Sequence, residues 1–227
     1  MDTSAELFYK PKALAQSEFS SRDEAAVASA AEAKFSVIVP CFNEQDGIAK
    51  TIADLRAALR DLDGYEIVIV DDGSTDGTAA IIATEQSMDR SLRVVSHDRN
   101  RGYGAALKSG IRASRGELIV ITDADGTYPN HRLPELIEMA ANADMVVGAR
   151  IADDVNYSFI RKIPKIFLKA YAERIAQRKI PDLNSGMRVL RRAVMERFLK
   201  VLPDGFSFTT TITLAMLTNR YVVQYLP

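Results

Sequence analysis

Between Phe35 and Ala149 the chain repeats one pattern five times, and that pattern decides most of what it can fold into. A short apolar run ("FSVIVPC", "YEIVIVD", "LRVVSH", "ELIVIT", "ADMVVGA") is followed by polar or glycine-containing residues, and the first four are then followed by a segment with helical spacing. Runs this short and this uniformly apolar read as strands buried on both faces. Strands that alternate with helices form a mostly parallel sheet covered on both sides, an α/β fold. The first helix should open at Asn43 and place Ile48, Ile52, Leu55 and Leu59 on one face. Later helices run through Ala79, Ile81 and Ile82, from Gly104 to about Ser114, and near Leu133–Ala141, and "YVVQYLP" supplies a further strand. Residues 1–33 have no steady period and read as a loose arm, which leaves 34–227 as a single domain.

In such sheets a ligand lies outside the carboxyl ends of the strands. Those ends are Pro40-Cys41-Phe42-Asn43-Glu44, the loop from Asp71 to Asp76, the loop from His97 to Gly102, Asp123-Ala124-Asp125, and Gly148-Ala149-Arg150. Carboxylates crowded on one edge disfavour each other's ionisation unless a cation or hydrogen-bond donors offset them. Asp123 and Asp125 therefore admit two readings: an acidic loop, or a site for a hard cation carrying a phosphate ligand. Carboxylate oxygens suit Mg²⁺ or Mn²⁺, which keep waters and substrate phosphate oxygens as further ligands. The stretch "RGYGAALKSG" is no dinucleotide fingerprint, because Leu107 stands where the third glycine is needed and the stretch follows the third strand. Gly102 and Gly104 still permit close backbone approach to a ligand at a helix N-terminus, or simply a tight turn.

Composition removes other chemistries. Cys41 is the one cysteine, so neither an intrachain disulfide nor a thiolate zinc site can form. His97 and His131 are the two histidines, which gives a histidine metal site or a Ser-His-Asp triad little to draw on. A net charge of −1 argues against a nucleic-acid binder, yet it conceals an asymmetry. Residues 1–154 hold 16 Lys+Arg against 26 Asp+Glu, whereas residues 155–200 hold 12 against 3. No apolar run approaches the roughly 18 residues that span a bilayer, and the N-terminus has no signal-peptide core.

The motifs "VIVPCFNE", "IVIVDDGSTDGT", "NRGYGAALKSGI", "ITDADGTYP", "VVGAR" and "PDLNSGMRVLRR" occur in the order seen in family-2 glycosyltransferases. From Phe35 to Pro227 the chain resembles the polyprenyl-phosphate (dolichol-phosphate-type) sugar synthases among them. The resemblance implies the A-type glycosyltransferase fold, a nucleotide-diphosphate-sugar donor, a divalent metal (Mg²⁺ or Mn²⁺), and inversion at the anomeric carbon. It implies transfer of a hexose, glucose or mannose, to polyprenyl phosphate by a cytoplasmic protein peripheral on a membrane face.

Carried over by position, Pro40, Phe42 and Glu44 would line the nucleotide pocket with Gly102 and Ala124, and Asp71 would contact the base. Asp72 would be a structural partner in its turn. Asp123 would help organise the diphosphate, and Asp125 would be the direct metal ligand. Some relatives carry a glutamine two residues later as another ligand, where this chain has Thr127. Arg150 and Arg161 would hold the acceptor phosphate, and Asp182, Ser185 and Arg188 would lie beside the reacting groups. A saccharide or other hydroxyl acceptor would instead need a general base, for which Asp182 is the candidate. A nucleotide-sugar-binding domain without turnover would carry a broken D-x-D, and here it is intact.

Overall fold

The computed structural model describes residues 33–89, 91–150, 173–174 and 179–227. The expected N-terminal arm and Arg161 lie outside the described residues. The strands are β1 (Phe35–Cys41), β2 (Tyr65–Asp71), β3 (Leu92–Ser96), β4 (Leu118–Ile121), β5 (Met145–Gly148), β6 (Arg188–Arg191) and β7 (Val223–Leu226). The helices are α1 (Ile48–Leu59), α2 (Thr78–Met88), α3 (Tyr103–Ala113), α4 (Leu133–Met139), α5 (Arg192–Phe198) and α6 (Phe208–Thr218).

One sheet contains all seven strands in the order β3-β2-β1-β4-β6-β5-β7. Its two faces follow from the two-residue period of a strand. Val37 and Val39 of β1 join the core under α1 and α4, while Ile38 between them joins the core under α3, α5 and α6. Ile48, Ile52, Leu55 and Leu59 are fully buried, so the expected face of α1 is its packed face. Truncating Leu55 to alanine would cost about 2–5 kcal/mol through lost burial and the cavity left behind.

Two expectations need correction. Helix α1 begins at Ile48 after Gly47, without a side-chain cap, rather than at Asn43. Asn43 takes a left-handed φ of 56°, and its side-chain oxygen accepts from the Thr75 N–H at 2.8 Å, so it ties two loops together. The second correction is β6, which sequence reading passed over inside "PDLNSGMRVLRR". It runs antiparallel between β4 and β5, with Ile121 opposite Arg188 on one side and Val147 opposite Arg188 on the other. Because β6 runs backwards, its beginning and the loop before it reach the edge where the parallel strands end. That reversal brings Asp182, Ser185 and Gly186 to the ligand edge.

Candidate active site

The loops after β1 and β2 are stitched into one wall. The Asn43 N–H donates to Ser74 Oγ at 3.0 Å, the Glu44 N–H to Thr78 Oγ1 at 2.8 Å, and the Gly77 N–H to Gln45 Oε1 at 2.9 Å. Asp71 is buried, and its Oδ1 accepts from the Ser74 N–H at 3.0 Å. Its side chain closes its own turn, outside the lining of the cleft described below.

Asp72 is saturated with donors. Its Oδ1 accepts from the Arg101 N–H at 2.9 Å and from His97 Nδ1 at 2.5 Å, and its Oδ2 accepts from the Gly102 N–H at 2.8 Å. His97 Nε2 meets Ser109 Oγ at 2.8 Å. The line Ser109–His97–Asp72 has the membership of a hydrolase triad, but neither Ser109 nor His97 lines the cleft. It works as a brace that holds the start of α3. Gly102 sits there at φ 102°, and a Cβ on it would meet the Asp204 carbonyl oxygen at 2.7 Å.

The loop after β4 is fixed through its backbone while its second carboxylate faces out. Thr51 Oγ1 donates to the Ala124 carbonyl at 2.9 Å, and Thr122 Oγ1 donates to Asn130 Oδ1 at 2.8 Å. Tyr103 donates its hydroxyl to Asp123 Oδ1 at 2.9 Å. Gly186 packs so close that a Cβ would lie 2.6 Å from Asp123 Oδ2, and its N–H donates to the Tyr128 hydroxyl at 2.7 Å. Asp125 is exposed, and its Oδ1 accepts from both the N–H and the hydroxyl of Thr127. Thr127 thus orients Asp125.

The electrostatics single out this corner. Burial raises the Asp123 carboxyl above its ordinary value, the Tyr103 hydrogen bond works against that, and Asp125 adds to the rise. Glu44 is raised first by burial, then by the charges of Asp125, Asp123 and Asp76. Burial, with Asp71 and Glu44 behind it, pushes the Cys41 thiol up to about 12, so it stays protonated and is no nucleophile. Among the described residues no group of three or more His, Cys, Asp or Glu side chains converges as a complete metal-ligand set. One outward carboxylate on a rigid loop, beside two whose charge is incompletely offset, fits a hard cation that takes its remaining ligands from phosphate and water.

The structure joins Arg150 and Asp182, two residues that the sequence reading assigned separately. Arg150 Nε donates to Asp182 Oδ2 at 2.9 Å, and Arg150 Nη2 donates to Oδ1 at 3.4 Å. Burial pushes the Asp182 carboxyl up, but the hydrogen bonds from Arg150 and from the Asn184 N–H, together with the Arg150 charge, leave the group below its ordinary value. Ser185 and Arg188, assigned from the sequence to the acceptor, are fully buried. Arg188 donates to the carbonyls of Ser185 and Thr209 and to Thr213 Oγ1, so its guanidinium clamps the loop before β6 onto α6.

These elements enclose a cleft of about 270 Å³. Pro40, Phe42, Glu44, Gly102, Asp123, Ala124 and Asp125 line it together, as the sequence reading grouped them. Asp72, Asn100, Tyr103 and Phe206 line it as well. Tyr103 went unremarked beside its glycines, and nothing in the spacing links it to Asp123, 20 residues on, or Phe206 to either.

A mostly parallel sheet whose strand-end loops build an acidic, glycine-edged cleft defines an α/β protein with its candidate site at the carboxyl ends of the strands. Residues 36–199 match the model of glycosyl transferase family 2, and the chain belongs to that family. An undecaprenyl-phosphate 4-deoxy-4-formamido-L-arabinose transferase from Pseudomonas paraeruginosa is 33% identical over 184 residues, 76% of this chain and 54% of that protein. The transferase of the same name from Sodalis glossinidius is 32% identical over 168 residues, 73% of this chain and 51% of that one. The chain thus spans about half the length of the curated relatives it matches. A mannosyltransferase from Pyrobaculum calidifontis, solved with GDP-Man and Mn²⁺, is 24% identical with a TM-score of 0.60 over 86% of this chain and 55% of that one. Glucosyl-3-phosphoglycerate synthase from Mycobacterium tuberculosis, solved with UDP, has a TM-score of 0.63 at 19% identity over 96% of this chain and 76% of that one. These two likenesses carry the fold, the A-type glycosyltransferase arrangement expected from the sequence.

Proposed function

We propose that the chain is the catalytic domain of a metal-dependent, inverting glycosyltransferase that moves a sugar from a nucleotide-diphosphate sugar to polyprenyl phosphate. The observation that carries the reading is Asp125: an outward carboxylate on a pinned loop, in a strand-end cleft, beside Glu44 and Asp123. The curated relatives named as undecaprenyl-phosphate sugar transferases support the acceptor, and the fold neighbours solved with GDP-Man and Mn²⁺ or with UDP support the donor and the metal. The sequence reading favoured glucose or mannose, whereas the relatives are named for a formamido-arabinose, so the sugar itself is for experiment. No helix among the described residues is long and apolar enough to cross a membrane, and the acceptor is the reason to place the protein at a membrane face.

In this reading the acceptor phosphate oxygen attacks the anomeric carbon opposite the diphosphate. The new C–O bond forms as the bond to the diphosphate breaks, and the electron pair leaves with the diphosphate. Asp125 would hold a divalent cation together with the diphosphate oxygens, and the cation would supply neutralisation of the leaving charge. Tyr103 fixes Asp123 beside it. Arg150, oriented by Asp182, and Arg161 are the arginines proposed for the acceptor phosphate, because a guanidinium fork makes two hydrogen bonds to one phosphate.

A phosphate monoester is already anionic, so no general base is required. This favours a phosphate over a hydroxyl acceptor, because Asp182, lowered by its bond to Arg150, is a weak base. The test is a panel of UDP- and GDP-linked sugars incubated with Mn²⁺ or Mg²⁺ and short-chain polyprenyl phosphate. Sugar-lipid product is expected. Transfer to saccharide hydroxyls alone would replace this acceptor, and binding without transfer would leave a donor-binding domain.

A further inference from the structure

Phe206 is the most exposed large apolar side chain among the described residues, at 85%, yet its surroundings are rigid. Its ring stacks on Tyr103, with centroids 5.7 Å apart and planes 16° from parallel. The turn that carries it is tied down at its base. The Asp204 carbonyl accepts from the Ala105 N–H at 3.0 Å, and Lys108 Nζ meets Asp204 Oδ1 at 2.7 Å. Gly102 is packed against the same carbonyl, as described above.

A lone exposed phenylalanine is unremarkable on most surfaces. This one lines the cleft, and its stacking partner holds Asp123. An aromatic face braced this way meets a ligand without being ordered first, which lowers the cost of binding.

We infer that Phe206 is the platform on which the sugar ring of the donor lies, and so a specificity-determining residue of the transfer. The inference rests on the donor reading above. Phe42 and Glu44 form the lip assigned to the nucleoside, and Asp123 and Asp125 are assigned to the diphosphate between the lips. The sugar is bonded to the far phosphate, so it lies beside the diphosphate, and Tyr103 stands there too, with its hydroxyl on Asp123 Oδ1 at 2.9 Å and Phe206 stacked on its ring. One face of a sugar ring presents C–H bonds of slight positive charge, and the face of an aromatic ring is negative. The contact holds the ring flat and leaves its hydroxyls to other groups.

The experiment is calorimetric titration of the full chain in Mn²⁺ with UDP, with GDP, and with the sugar nucleotide chosen by the donor panel. Phe206→Ala should weaken the sugar nucleotide about 3- to 10-fold and leave the matching nucleoside diphosphate within about twofold. Phe206→Tyr should restore binding. Phe206 is exposed, so both variants should melt with the parent. Equal losses for nucleotide and sugar nucleotide would overturn the inference by making Phe206 a nucleoside contact. Unchanged donor affinity with a raised KM for polyprenyl phosphate would overturn it by giving the ring to the acceptor. Unchanged values throughout would also overturn it while the donor reading stands, whereas an unsubstituted chain that binds none of these ligands would overturn both.

Discussion

Strands β2 and β4 flank β1, and each carries two aspartates at or just after its carboxyl end. After β2, Asp72 collects two backbone N–H groups and His97, and Asp71 accepts from its own turn at Ser74. After β4, Asp123 has the Tyr103 hydroxyl, and Asp125 has Thr127 on one oxygen and solvent beyond. Composition cannot separate the loops, but their supply of donors does. A carboxylate that has spent its lone pairs on the protein is part of the scaffold, and one that has not is available to a ligand.

The strongest way to break the comparison is Asp125→Asn. It should lower metal-dependent turnover by more than about 100-fold, since a metal's charge stabilisation is worth several kcal/mol, and leave the melting temperature unchanged or raised. Steady-state kinetics over a Mn²⁺ series with a melting curve checks both halves, and normal turnover would return Asp125 to a merely acidic loop. Asp72→Ala should do the reverse and act first on stability. Leaving its three donors without their acceptor costs about 1–3 kcal/mol each, so a drop of at least roughly 6 °C is expected at about 2–4 °C per kcal/mol. A variant that melts with the parent would show that Asp72 is no anchor.

A smaller effect extends the comparison to Asp182, which belongs with the saturated group. Its carboxyl lies below its ordinary value, so its bond to Arg150 stabilises the fold above the unfolded carboxylate pKa of about 3.9, and that gain is lost as pH falls through the lowered folded value. Arg150→Gln should therefore destabilise the protein at pH 7 and scarcely at all at strongly acid pH. With Arg150 51% exposed, the difference should be at most about 1 kcal/mol. Urea midpoints across acid and neutral pH measure it, and equal losses at both ends would mean the bond is unimportant.

The smallest effect on activity belongs to Cys41. With its pKa pushed up to about 12, only about one thiol in 10⁴ is ionised at pH 8, so the folded chain should react with a thiol reagent about 1,000-fold more slowly than the unfolded chain. Rapid labelling of folded protein would show that the thiol is not held buried.

The parallel part of the sheet was legible because strands buried on both faces are uniformly apolar, as in "YEIVIVD", and β2 runs from Tyr65 to Asp71 as that stretch suggests. Strand β6 was not. "RVLR" is bounded by arginines, and Arg188 is fully buried only because carbonyls of Ser185 and Thr209 receive its guanidinium, contacts that no local pattern announces. The cleft was readable wherever its residues end strands, as Glu44, Asp123 and Asp125 do. Tyr103 and Phe206 come from the start of α3 and the turn before α6, and only the packing of those helices brings them there. Sequence alone likewise could not say that Asp182 would spend itself on Arg150, because the two lie 32 residues apart.

That clasp between Arg150 and Asp182 has a consequence for how the chain can change over time. The Gly148 N–H donates to the Met187 carbonyl at 2.9 Å, so the polypeptide leaves the sheet and re-enters it at the same point. Arg150 and Asp182, 32 residues apart in the chain, thus meet beside the ends of β5 and β6. Doubling a flexible loop between two fixed ends adds only about 0.6 kcal/mol in closure entropy. A chain with residues inserted midway between Arg150 and Asp182 should therefore still fold around an unaltered Asp125 corner.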